Sequence, residues 1–299
     1  MITNSKTKLI YCPLCGSEKH EILFETLDYF LTGEKFCIEK CKDCGHVFTN
    51  PQPPESRLGD YYKSEEYLSH KENAEGLLDK IYATVRWLNL RTKYRQATKG
   101  LSIGTLLDYG CGRGDFLRLA KARGWDTLGI EQDPDAKKFA IEQHDVKVLS
   151  PEEDASLTPG QFNLITMFHV LEHLPDVHST MRKLCSWLAP DGRLVIAVPN
   201  HQSYDAEVYG PYWAAWDVPR HLHHFSRNSI ISLAEKHGLT IRKIYPMYWD
   251  AFFVAMLSDR YKGDHNSFVR AGLLGLKSNL KAIRSGQYSS LMFILGKSR

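Results

Sequence analysis

Residues 103–116 read Ile-Gly-Thr-Leu-Leu-Asp-Tyr-Gly-Cys-Gly-Arg-Gly-Asp-Phe. Thr105, Leu106 and Leu107 form a short apolar run that ends on Asp108, and glycines follow at 110, 112 and 114. From Phe116 to Arg123 the apolar residues take helical spacing. A buried strand, a glycine turn and a helix in that order make a nucleotide-binding corner. Glycine lets the backbone adopt positive φ and approach a ligand closely, and the new helix presents unpaired N–H groups. The turn is G-x-G-x-G with an aspartate two residues ahead. It is neither the G-x-G-x-x-G dinucleotide fingerprint nor a P-loop, which needs a Lys-Ser/Thr pair. Outward from the turn, Trp125–Ile130 reads as the next strand, and Glu131 and Gln132 follow it. An acid at the end of a second strand suits bidentate hydrogen bonding to ribose hydroxyls.

The alternation continues. Strands are expected at 104–108, 126–130, 146–149, 162–168, 193–198 and 239–246, with a last one at 289–295. Helical patterns lie between most of them. That order predicts an α/β fold with a doubly wound, mostly parallel sheet. Ligands in such sheets bind at the carboxyl ends of the strands. Asp108, Glu131 and His169 all fall at such ends, so three separate strands converge on one crevice.

The D-x-G-x-G-x-G pattern resembles motif I of class I S-adenosylmethionine (SAM) methyltransferases. His169-Val-Leu-Glu-His173-Leu-Pro-Asp176 resembles the "LEH" segment of ubiquinone-type and related small-molecule methyltransferases. Ala189-Pro-Asp-Gly192, the β-branched strand after it, and Pro199-Asn200 match the same family. Asn163 departs from it, standing where an aspartate is usual, but at the strand end away from the ligand edge. The resemblance implies a seven-stranded Rossmann-like sheet with an antiparallel final strand. It places SAM against Asp108, Tyr109, Gly110, Gly112, Gly114, Glu131, Gln132 and His169, with His173 fixing its loop. It also implies SAM-dependent methyl transfer, O- or C-directed, to a small-molecule acceptor such as a sugar, a polysaccharide precursor or a quinone- or phenol-like compound. The alternative is a binding or scaffold protein whose methyltransferase fold senses SAM without turnover.

Ahead of this unit, Cys12-Pro-Leu-Cys15-Gly and Cys41-Lys-Asp-Cys44-Gly are two knuckles of one design, 25 residues apart. Four thiolates on two knuckles complete a tetrahedral Zn²⁺ site with no open position, hence a structural metal. His20 and His46 are weaker substitutes, and Cys37 lies outside the knuckles. The spacing predicts a zinc-ribbon-like domain over 1–50, with strands at 22–26 and 36–39. A proline-bearing linker and helical cap over 51–100 follow, with a helix at 75–99 and a tyrosine cluster at 60–70 suited to covering a cofactor or packing a helix. The catalytic domain spans 101–299.

Within it, residues 201–225 hold Tyr204, Tyr209, Tyr212, Trp213, Trp216 and then Arg220-His-Leu-His-His224. Aromatics supply apolar and cation-compatible walls, and histidine titrates near neutrality. His221, His223 and His224 are therefore the candidate bases, set against a purely structural polar network. Ser226 is a candidate N-cap. Residues 251–284 read as one amphipathic, cationic helical insertion, suited to a sheet face, a dimer face or a membrane surface.

Composition narrows the partners. The chain has 299 residues, 43% hydrophobic and 24% charged, with a net charge of +3. Such a balance gives no footprint for nucleic acid. No apolar run reaches the ~18 residues of a transmembrane helix, and the first residues lack a signal-peptide core. Seven cysteines, four of them in C-x-x-C pairs, favour a reducing compartment and metal over disulfides. A cytoplasmic monomer or homodimer, with peripheral membrane contact allowed, is expected.

Overall fold

The computed structural model describes residues 6–62, 77–264 and 268–298. Most of the tyrosine cluster at 60–70 lies outside them. Seven strands form the main sheet: β4 (Thr105–Tyr109), β5 (Asp126–Ile130), β6 (Lys147–Leu149), β7 (Phe162–Phe168), β8 (Leu188–Pro199), β10 (Leu239–Pro246) and β11 (Ser290–Lys297). Their order is β10-β11-β8-β7-β4-β5-β6. Pairs among β8, β7, β4, β5 and β6 are parallel, and β11 runs antiparallel to both neighbours. This is the doubly wound Rossmann-like sheet with its antiparallel last strand. Strand order reverses between β4 and β7, which opens a crevice at their carboxyl ends.

The parallel strands are apolar on both faces because helices cover both. On one face lie α1 (Leu77–Thr98), α2 (Asp115–Lys121) and α3 (Pro134–His144), where Ala97, Phe116, Leu117 and Ala140 join a core with Leu106 and Val195. On the other lie α4 (Val177–Trp187) and α6 (Arg227–Lys236), where Met181, Leu184, Ile230 and Leu233 pack on Ile165 and Ile196. Local chemistry starts these helices. Asp133 accepts from the Ala136 N–H ahead of Pro134, Asp176 accepts from Ser179, and Ser226 accepts from Ser229. Asn163 sits at the amino end of β7, as expected, and accepts from the Thr105 N–H and hydroxyl at 3.0 Å each.

Strands β1 (His20–Leu27), β2 (Lys35–Cys41) and β3 (Val47–Thr49) form a second, antiparallel sheet. Its fourth strand comes from far along the chain: β9 (His223–His224) pairs with β3, Val47 opposite His224. The residue 201–225 stretch, which includes α5 (Tyr204–Tyr209), is therefore an integral wall of the cysteine-bearing unit. Cys12, Leu14, Cys41 and Phe48 belong to the same apolar core as the main sheet.

Residues 251–284 are two helices, not one: α7 (Asp250–Tyr261) and α8 (Phe268–Ser285). Gly263, at φ 86°, lies just after α7 and turns the chain in the left-handed region that favours glycine.

Candidate functional site

At the crevice the three glycines of the turn all have positive φ: 72° at 110, 53° at 112 and 78° at 114. They serve different purposes. A Cβ at Gly110 would lie 2.4 Å from a Val170 methyl, and one at Gly114 2.9 Å from Ala140 Cβ, so both permit close packing. Among the described residues nothing lies within 4 Å of a Cβ built on Gly112, so that backbone faces open space. Asp108, Gly110, Cys111, Gly112 and Phe116 line a cleft of about 240 Å³, together with Phe168, Leu90, Lys93 and three other polar residues.

Glu131 reaches the turn from β5. Its Oε2 accepts from the Gly112 N–H at 2.7 Å, and its Oε1 from Asp133 at 2.9 Å. A carboxylate has about four lone-pair sites, so each oxygen keeps one for a ligand. Asp108 is buried, and its Oδ1 accepts from the Thr166 hydroxyl at 2.6 Å. Burial pushes its carboxyl up to about 7, against the opposing pull of the Thr166 hydrogen bond and the Lys93 charge. Lys93, from α1, is lowered by burial and supported by Asp250, Asp108 and Glu172. No motif marks Lys93, but its helical position opposite β4 brings it into the cleft.

His169 follows β7 in a left-handed conformation, φ 57°, which is uncommon for a residue with a Cβ. Its Nε2 lies 3.3 Å from Asp250 Oδ2 and its Nδ1 3.5 Å from Glu172 Oε1. Burial opposes charge on the ring, but the two carboxylates outweigh it and raise the imidazole to about 9. Glu172 is wholly buried. Asp250 arrives just beyond the carboxyl end of β10, 81 residues later, and its role carries no sequence signal except its place at a strand end.

Of the expected cofactor contacts, Asp108, Gly110 and Gly112 line the cleft, Glu131 bonds to it, and Gly114 packs behind it. Tyr109 alternates to the other face, toward Thr180 and Lys183. Gln132 is exposed beside Glu131.

The candidate bases need correction. His223 Nε2 donates to Leu174 O at 3.0 Å, so its Nδ1 accepts from His46 Nε2 at 3.1 Å. His224 Nε2 donates to the Thr49 hydroxyl, which itself donates to His221 O. His223 and His224 are buried structural groups whose rings are held neutral by burial, His223 near 4. His221 donates Nδ1–H to Ala215 O, its Nε2 lies 3.9 Å from Asp217 Oδ2, and the residue clusters with Glu172 and His173. None of the three lines the cleft; His169 does not line it either, but follows directly on Phe168, which does. His173 does fix its loop, with Nδ1 3.0 Å from Arg220 O and 2.9 Å from the Tyr62 hydroxyl.

The four knuckle cysteines converge as expected. Cys12 Sγ lies 3.6 Å from Cys44 Sγ, and Cys15 Sγ 3.5 Å from Cys41 Sγ, all four within 4.8 Å of one another. Tetrahedral Zn–S bonds of about 2.3 Å put the sulfurs roughly 3.8 Å apart, so the donor set fits zinc. Gly16 and Gly45 turn at φ 80° and 72°, and their N–H groups close onto Cys12 O and Cys41 O. His20 is committed to Glu39 and His46 to His223, so neither substitutes as a ligand.

Comparison with known proteins agrees with this architecture. Residues 86–244 match a family model described as a methyltransferase domain. Over 176 residues the chain is 28% identical to a ubiquinone biosynthesis O-methyltransferase of Aeromonas salmonicida, covering 54% of this chain and 72% of that one. It is 33% identical over 146 residues to the protein of that name from Xanthomonas campestris pv. campestris, covering 46% and 61%. Geranyl diphosphate C-methyltransferase of Streptomyces coelicolor, solved with S-adenosyl-L-homocysteine, shares the fold at a TM-score of 0.54 and 16% identity, over 81% of this chain and 97% of that one. Haemonchus contortus phosphoethanolamine N-methyltransferase 2 does so at 0.53 and 16%, over 94% and 69%.

Proposed function

Because the chain belongs to the methyltransferase-domain family and is a class I SAM-dependent methyltransferase, we propose that it methylates a hydroxyl or carbon of a small-molecule acceptor in the cleft beside β4. The observation that carries this reading is the joint geometry of Gly112 and Glu131: an open glycine backbone bridged to an acid from the next strand.

SAM supplies an electrophilic methyl group on a sulfonium. The protein's part is to bind, orient and manage a proton. Glu131 takes the ribose hydroxyls on its remaining lone pairs, and the Gly110–Gly112 backbone lets the ligand approach. Asp108 gives the cleft a carboxylate for the cationic methionine end. Alignment of acceptor and donor supplies the larger share of the acceleration, up to roughly 7–11 kcal/mol in favourable cases.

For proton handling we assign His169, held between Asp250 and Glu172, in place of the buried histidines downstream. Near neutrality its ring carries the proton. The form that accepts a proton from the acceptor grows in as pH rises toward about 9. A hydroxyl acceptor of quinol or phenol type is favoured by the names of the curated relatives. A structural Zn²⁺ on Cys12, Cys15, Cys41 and Cys44 holds the N-terminal sheet.

The test is turnover. Purified protein with SAM carrying a labelled methyl group is offered catechols, quinols and sugar nucleotides. Label appearing in one class, with stoichiometric S-adenosylhomocysteine, is expected. SAM binding with no turnover on any class would favour a sensor or scaffold.

A further inference from the structure

Helix α8 is built inside out. At 3.6 residues per turn, Ala271, Gly275, Ser278 and Ala282 share one face, and these are its buried residues. Gly275 seats against α7: a Cβ there would lie 2.7 Å from the Phe252 ring. Ser278 donates to Asp205 Oδ1 at 2.6 Å. The large apolar residues point the other way. Val269, Leu273, Leu276, Leu280 and Ile283 form one ridge, exposed by 79, 63, 50, 57 and 67%. A helix serving only a core turns such residues inward. A continuous exposed ridge of them marks an interaction surface.

Charge identifies what covers it. Phe268–Ser285 contains no aspartate or glutamate, and Arg270, Lys277, Lys281 and Arg284 run along one flank of the ridge. Arg270 is paired with Asp259 and Asp264. Lys277 and Lys281 lie over the Tyr204 ring, 5.3 and 3.9 Å from its centre. On the other flank Asn279 donates to Tyr248 O at 2.9 Å. That places Tyr248 and Trp249, 49 and 39% exposed, where aromatic rings favour a membrane interface.

We propose that α8 docks the protein on an anionic lipid surface, with the ridge in the headgroup–acyl boundary and Lys277, Lys281 and Arg284 against the phosphates. A second copy of the chain fits less well, because two acid-free cationic rows would face each other across the ridge. The inference rests on the faces of α8 alone and does not depend on the identity of the acceptor.

Full-length wild type is sedimented with phosphatidylcholine vesicles and with vesicles also containing phosphatidylglycerol, at low and high salt. Binding roughly tenfold or more stronger to the anionic vesicles, and weakened by salt, is expected from two or three surface cations. Leu273→Glu/Leu280→Glu should abolish it, and Lys277→Gln/Lys281→Gln should remove the anionic preference. Both variants should keep wild-type S-adenosylhomocysteine binding, which shows that they fold. Sedimentation velocity without lipid gives the other outcome. Equal binding to both vesicle types, no vesicle binding, or a stable dimer broken by Leu273→Glu/Leu280→Glu in its place would overturn the proposal.

Discussion

Asp108 is a carboxyl group whose ionisation the fold resists, and that resistance has two measurable signs. Its folded pKa is raised to about 7 by burial. Its contribution to stability is therefore full below the ordinary carboxyl pKa and is lost as pH rises through about 7. Affinity for a cationic ligand runs the opposite way, growing over the same interval as the carboxylate forms. Calorimetric titration with SAM at pH 6 and pH 8 should show tighter binding at the higher pH, and Asp108→Asn should flatten the difference. A wild-type affinity that falls toward pH 8 would contradict the assignment.

His169 has the same sense of shift from the opposite cause. Its raised pKa means that the favourable pairing with Asp250 and Glu172 is present below the ordinary histidine pKa and lost as pH rises through about 9. The rate limb of methyl transfer should climb toward that pH. Asp250→Asn should move the limb to lower pH, and His169→Gln should cut kcat by about 10²–10⁴-fold. An unshifted profile in Asp250→Asn would remove the pairing from the mechanism. Asp108, the glycines and Glu131 could be read from the chain because each sits at a strand end with a motif around it. Lys93 and Asp250 could not, since each meets its partner only after a helix or a strand is folded into place.

At the scale of elements, the strands were legible and their partners less so. The apolar runs of β4, β5 and β7 fix their positions to within a residue, because burial on both faces leaves little room for polar positions. β8 extends further back than its β-branched core, through the Ala189–Gly192 turn. The pairing of β9 with β3 joins residues about 175 apart, and no local pattern encodes it. The same long reach hides Arg220. Its side chain is 2% exposed, and its Nη2 donates to Asp217 at 2.7 Å and to Asp28 at 2.8 Å, tying the β1–β2 turn to the aromatic wall. Removing one partner from such a buried pair costs about 3–5 kcal/mol. Arg220→Met should therefore lower the unfolding free energy by that amount in chemical denaturation. A loss below about 1 kcal/mol, typical of an exposed pair, would show that the pair is not buried as described.

For the whole molecule, the two sheets share a core, so the cysteine cluster, the histidines and stability are coupled, and the proposed zinc should act on the stability of the whole. One zinc per chain is expected by elemental analysis, and Cys41→Ser should lower both zinc content and the melting temperature of the entire protein. His173, His201 and His223 are depressed to about 4, mainly by burial. The stability they contribute is present above the ordinary histidine pKa and lost as pH falls through about 4. Melting temperature should decline from about pH 6.5 downward. No helix among the described residues is long and apolar enough to cross a membrane. The outward ridge of α8 was not legible in the sequence, because it needed the packing of the small-residue face to be seen.

The most direct measurement is calorimetric binding of S-adenosylhomocysteine to the zinc-loaded wild type and to Glu131→Ala. Micromolar binding to the wild type is expected, weakened at least tenfold in the variant by loss of the carboxylate that bridges Gly112 and the ribose hydroxyls. Equal affinity in the two proteins would contradict the placement of the ligand between β4 and β5. No binding by a folded wild type would contradict SAM-dependent catalysis at this cleft.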